Sequence, residues 1–179
     1  MKLKPFRGYD EAEVVNLYSL TENSGNAGDA VELVSWNPSD DEGYGVNLSP
    51  YAGMQIPRYE RKSKVKLATR GNERKVLGIM LWNVRETDDL GRKLIYDPQR
   101  YNELQTVTSG QSVPVLVRGY VMASGFTGPS PSPGSGVGVD QLGQWTVTGL
   151  NVTNVIGTFL SSTGSDGYAA AFINALTAK

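Results

Sequence analysis

A chain of 179 residues with 17 basic and 18 acidic side chains, formal net charge -1, can bury a core in one domain but is too short for two full ones. Near-neutrality gives it no whole-molecule pull toward nucleic acid and no strong repulsion from its own copies. It has no cysteine and no histidine, which excludes disulfides, thiolate chemistry, the usual structural zinc sites and the commonest general base.

Hydrophobic residues are only 39% of the chain, while its 21 glycines and many Ser, Thr and Asn residues point to short strands and frequent turns. The composition is mainly β. The basic start Met1–Arg7 leads into no apolar core region, so it is read as no signal peptide. No apolar run of about eighteen residues follows either, so no membrane span is expected.

In chain order, residues 8 to 57 carry nine acidic side chains and no Lys or Arg. Asp10 to Leu20 reads either as a short helix, with Asp10 as cap and Glu13 at the capping-box position, or as an extended arm. Thr21 to Ala30 is a loop, and Val31 to Trp36 is the first strand, ended by the turn residues Asn37 to Asp41. Gly43 to Pro57 reads as an irregular surface loop. The sign of the charge then reverses from Arg58 to Lys75. Within that stretch Lys62 to Thr69 alternates Lys64 and Lys66 with Val65 and Leu67, a strand with one basic and one apolar face.

Val76 to Trp82 is a continuous apolar run, fit for a strand buried on both faces. Residues 83 to 103 are polar loops around a short strand at Lys93 to Tyr96, with a candidate helical turn at Pro98 to Glu103. Val113 to Met122 is the longest β-forming run and the expected central strand. Val115, Val117, Gly119 and Val121 share its dry face, Leu116, Arg118, Tyr120 and Met122 a mixed one, and Gly119 permits a bulge or sharp bend. Phe126 to Val139 is the low-complexity segment, read as a long flexible loop. Gln144 to Gly149, Val155 to Leu160 and Tyr168 to Ile173 complete the sheet, with a tail from Asn174 expected to fray.

The expected architecture is therefore a small β-barrel or β-sandwich over residues 31 to 176, with an extended N-terminal arm at 1 to 30 and a flexible Pro/Ser/Gly-rich loop at 126 to 139. The glycines at 134, 136 and 138 lack the lead-in strand, the following helix and the Gly-Lys-Ser/Thr ending of a phosphate loop, so a linker is the better reading. Asp40-Asp41-Glu42 and Asp88-Asp89 lack the spacing of a calcium loop and read as turn acids. No metal, cofactor or catalytic constellation is expected, and no enzyme. The basic stretch from Arg58 suits an acidic protein surface better than nucleic acid, since Tyr59 is its one aromatic residue. In a self-assembling protein it could meet a neighbour's acidic arm.

Three pieces carry a family resemblance: Val76-Leu77-Gly78-Ile79, Val113 through Val121 with its Val-Arg-Gly-Tyr-Val ending, and Val155-Ile156-Gly157-Thr158-Phe159-Leu160 leading to Gly167-Tyr168-Ala169-Ala170-Ala171-Phe172. Their pattern resembles the capsid decoration, or cement, proteins of tailed bacteriophages over residues 76 to 173. The departures are the Phe126 to Val139 insertion and the long acidic N-terminal region. The resemblance implies a structural protein, made in the host cytoplasm, that coats the outer surface of the mature icosahedral head. Its partner would be the major capsid protein, and its own state a homotrimer. The contacts assigned on this basis are Lys2, Lys4, Phe6, Arg7 and Tyr9 of the arm, with Arg61, Lys62, Lys64 and Lys66 of the basic strand. Two rivals stand beside it: a tail or head-tail connector component, and a carbohydrate- or receptor-binding sandwich that stacks glycans on Trp36, Trp82 and Trp145.

Overall fold

The structure, a computed structural model, describes residues 2–5, 8–9, 13–20, 22, 24–33, 63–68, 76–108, 111–140, 143–148 and 155–175. The fold is mainly β and is organised as a closed barrel joined to an open sheet. Its strands are Lys2–Pro5 (β1), Val14–Leu20 (β2), Ala30–Leu33 (β3), Ser63–Leu67 (β4), Val76–Met80 (β5), Asn83–Val84 (β6) and Thr106–Val107 (β7). They continue with Ser112–Leu116 (β8), Arg118–Ser124 (β9), Gly136–Val139 (β10), Trp145–Thr148 (β11), Gly157–Phe159 (β12) and Ala169–Asn174 (β13). The barrel closes in the order β2-β4-β3-β5-β8, and the six-stranded sheet runs β1-β9-β13-β12-β10-β11. A short parallel pair, β6 with β7, closes the base of the excursion between them.

The expected central strand is two strands in two different sheets. β8 is a barrel stave paired with β2 and β5, whereas β9 lies between β1 and β13 in the open sheet. The switch falls at Val117. Gly119 just beyond it has φ 152°, a conformation that favours glycine, and the Tyr9 ring would stand 3.1 Å from a Cβ placed there. The break also changes which residues face inward. Val113, Val115 and Val117 fill the barrel core with Leu20, Val31, Val65 and Met80, while Leu116 joins the second core with Val121, Trp145 and Phe159. That second core includes Ala30, Val76 and Ile79 from the barrel strands and Ala68 just past β4, so it joins barrel to sheet. β5 is buried along its whole length, as its unbroken apolar run requires, because its side chains divide between the two cores.

Several local expectations are corrected by tertiary pairing. Lys2–Pro5 and Val14–Leu20 of the N-terminal region are extended and each is paired in a sheet. β1 lies along β9, and Val14–Leu20 is a barrel stave bonded to β4 and β8, not a helix. β-branched Val14 and Val15 and the burial available in the barrel outweigh the capping pattern. The loop expected at 126 to 139 ends at Ser135: Gly136–Val139 is a fully buried strand between β11 and β12. Even the loop is tied, with Gly134 N–H donating to the Phe159 carbonyl at 2.8 Å. Lys93 makes an isolated bridge to Thr87, and Leu94–Tyr96 is a 3-10 turn instead of a strand. The helical turn at Pro98–Glu103 (α1) is present, capped by Asp97, whose side chain accepts from the Arg100 N–H at 3.1 Å. Asn174 and Ala175 do not fray, since their amides donate to the Ile156 and Val117 carbonyls.

Candidate functional site

The assigned contact residues separate onto two β layers. Lys4 projects from the edge strand β1, is exposed, and holds its Nζ 3.8 Å from the centre of the Tyr168 ring. Tyr9 is half-buried: its hydroxyl donates to the Tyr120 carbonyl at 2.7 Å. Both residues therefore lie along β9, where Lys4 pairs with Met122. Lys66 stands apart on the barrel strand β4. Lys2 and Lys64 are placed on β1 and β4, their side chains outside the described residues. Phe6, Arg7, Arg61 and Lys62 lie outside the described residues altogether.

Lys66 has an internal use. Antiparallel pairing of β3 and β4 sets Lys66 opposite Glu32, and its Nζ sits 3.0 Å from a carboxylate oxygen that is almost wholly buried, with Glu32 1% exposed. Burying that carboxylate without a cation would carry a heavy desolvation penalty, so the pair is a requirement of the barrel wall. One residue on, the Leu67 N–H donates to the Glu22 carboxylate at 3.2 Å. The acidic block and the basic stretch thus meet within one chain, where the sequence suggested a meeting between neighbours.

Two other acids are set by their surroundings. Asp29 is buried at the junction of barrel and sheet, beside Gly28, whose carbonyl accepts the Trp145 indole N–H at 2.8 Å, and Ala30, whose N–H donates to Gly143. Burial raises its pKa above the ordinary 3.8, against the pull of the Asn26 N–H. Asp88 closes a turn by accepting the Leu90 and Arg92 amides at 2.9 and 2.8 Å, and the bond from Arg92 holds its carboxyl below the ordinary value. That is the turn role expected of it. Asp40-Asp41-Glu42 lies outside the described residues, and among those described no group of three acids could hold a metal ion.

Beside Lys4 lies a surface whose other residues were not among the expected contacts. The outward side chains of β9 are Arg118, Tyr120 and Met122, and beside them on β13 stands Phe172, whose ring lies 4.8 Å from that of Tyr120. Tyr120 remains 41% exposed beside the partly buried Phe172 ring. The signal was the mixed face of the Val113 to Met122 run. It became a surface only once β13 supplied Phe172 and β1 supplied Lys4.

Two of the three tryptophans are described, and they stand in different places. Trp145 is fully buried between Phe159 and the Gly28 carbonyl, and Trp82 packs against the barrel core. Trp36 lies outside the described residues. No protein-family model matches this chain, and a search of curated proteins finds no match.

Proposed function

We propose that this protein is a capsid decoration protein of a tailed bacteriophage, binding the major capsid protein on the outside of the mature head and stabilising the shell without catalysis. The observation that supports this reading is where the resemblance motifs fall. The pieces that carry them are β5, β8 with β9, and β12 with β13, each paired to a neighbour in the set. Their glycines have steric reasons: a side chain at Gly78 would strike the Leu116 carbonyl, and one at Gly157 the Phe172 carbonyl. The three pieces therefore belong to one connected scaffold. Such a scaffold suits a rigid coat subunit repeated on a symmetric lattice, where many modest contacts sum to tight binding.

The test is to mix purified protein with expanded shells that lack it, pellet them, and measure bound copies and the heat stability of the shells. Saturation at a symmetric copy number with raised shell stability is the expected result. No binding to heads would sink the proposal, and labelling of tails would move the protein to a connector.

A further inference from the structure

We infer that the outward face of β1, β9 and β13 is a docking surface for an extended acidic segment of a partner protein. This deepens the decoration reading and rests on it for the partner's identity.

The argument begins with charge. Lys66 is committed to Glu32, so the barrel's basic strand is partly neutralised within the chain. Lys4 and Arg118 differ: both are exposed, and among the described residues neither has a carboxylate partner. They stand on the same face. Lys4 is opposite Met122 and Arg118 lies four positions back along β9, with Tyr120 and Phe172 between them. A strand rises about 3.3 Å per residue, so the two cations bracket the aromatic strip at about 13 Å along the strand. None of the described outward positions on these three strands is acidic.

The strip also carries the exposed aromatic surface of the face. Tyr120 is exposed, and Met122 and Phe172 are partly buried, a combination of flat aromatic surface and flanking cation that fits peptide carboxylates around an apolar anchor. Two cations on a chain of net charge -1 are a small electrostatic footprint for a phosphate backbone, which favours protein over nucleic acid. The geometry asks for carboxylates about four residues apart in an extended segment, with an aromatic or aliphatic side chain between them.

The experiment uses the full chain, labelled with nitrogen-15, titrated to millimolar levels with a synthetic five-residue peptide bearing glutamate at both ends and tyrosine at its centre. Expected are amide shift changes confined to Lys4, Arg118, Tyr120, Met122 and Phe172, with binding weakened about tenfold or more in Lys4→Glu/Arg118→Glu. A lysine-ended peptide of the same length should leave the spectrum unchanged. Shifts elsewhere, no shifts, equal binding of the lysine-ended peptide, or stronger binding of a single-stranded oligonucleotide would each overturn the proposal. Circular dichroism of the double variant checks the fold, and Tyr120→Ser provides a second, charge-neutral variant expected to weaken the same shifts. Pelleting both variants with undecorated shells separates the two readings. If wild type and variants bind shells equally, this face is not the footprint and decoration stands; if wild type does not bind shells, decoration fails whatever the peptide does.

Discussion

Lys66 and Lys4 belong to the same expected contact set, yet they have opposite physical situations. Lys66→Ala would leave the Glu32 carboxylate buried and unpaired, and the expected loss is about 3 kcal/mol of unfolding free energy by urea titration. Lys4→Ala removes an exposed cation resting on Tyr168 and should change stability by about 0.5 kcal/mol. Equal losses for the two would refute the assignment of Lys66 to the barrel wall. Asp29 gives a pH signature of definite sign. Its folded pKa is raised by burial, so its ionised form disfavours the fold: the penalty is absent below the ordinary 3.8 and grows as pH rises through the folded value. Asp29→Asn keeps an acceptor for the Asn26 N–H and cannot ionise. The variant should be more stable than wild type at pH 7, with the advantage shrinking toward pH 4, as read from urea midpoints at both. An advantage that grows on acidification would show the sign to be wrong.

At the scale of elements, close approach between strands decides more than propensity does. β5 and β8 pair through Ile79 with Leu116, and Gly78 lies against the Leu116 carbonyl so tightly that even a methyl group forces the strands apart. Gly78→Ala should therefore destabilise by about 1–3 kcal/mol, although alanine is otherwise no worse than glycine in a strand. A gain in thermal midpoint would mean that the strands do not approach in this way. The contrast between residues 14–20 and 98–103 shows how far such elements could be read beforehand. Pro98–Glu103 carries its own cap and starting proline, so its helical turn was legible locally. Val14–Leu20 was ambiguous because its helix-start pattern is local, while the two partner strands that make it a stave come from residues 63–67 and 112–116.

For the whole molecule, barrel and sheet are joined by the continuous passage from β8 into β9, by the core shared by Leu116, Ile79, Val121, Trp145 and Phe159, and by the hydrogen bonds of Trp145 to Gly28 and of Ala30 to Gly143. The layers should accordingly unfold as one cooperative unit. Tryptophan fluorescence of Trp36→Phe/Trp82→Phe, which leaves Trp145 at the junction as the reporter, and far-ultraviolet circular dichroism of the same variant, which reports both layers, should give coincident urea transitions. Two separated midpoints would show that barrel and sheet are independent.

The mainly β class, the lack of cysteine and histidine, the doubly buried β5 and the bend near Gly119 were legible from the residues alone, because these depend on composition, period and single-residue conformational limits. The sequence also held the alternation that puts Arg118, Tyr120 and Met122 on one side. Only the tertiary structure decided that the central run serves two sheets, that Gly136–Val139 is a buried strand, that Lys66 answers Glu32, and that Lys4 and Phe172 flank Tyr120 and Met122. Each of these is a pairing between residues far apart in the chain. A local pattern fixes which way a side chain alternates, but the neighbour it meets is set by strand register, and register is a property of the folded whole.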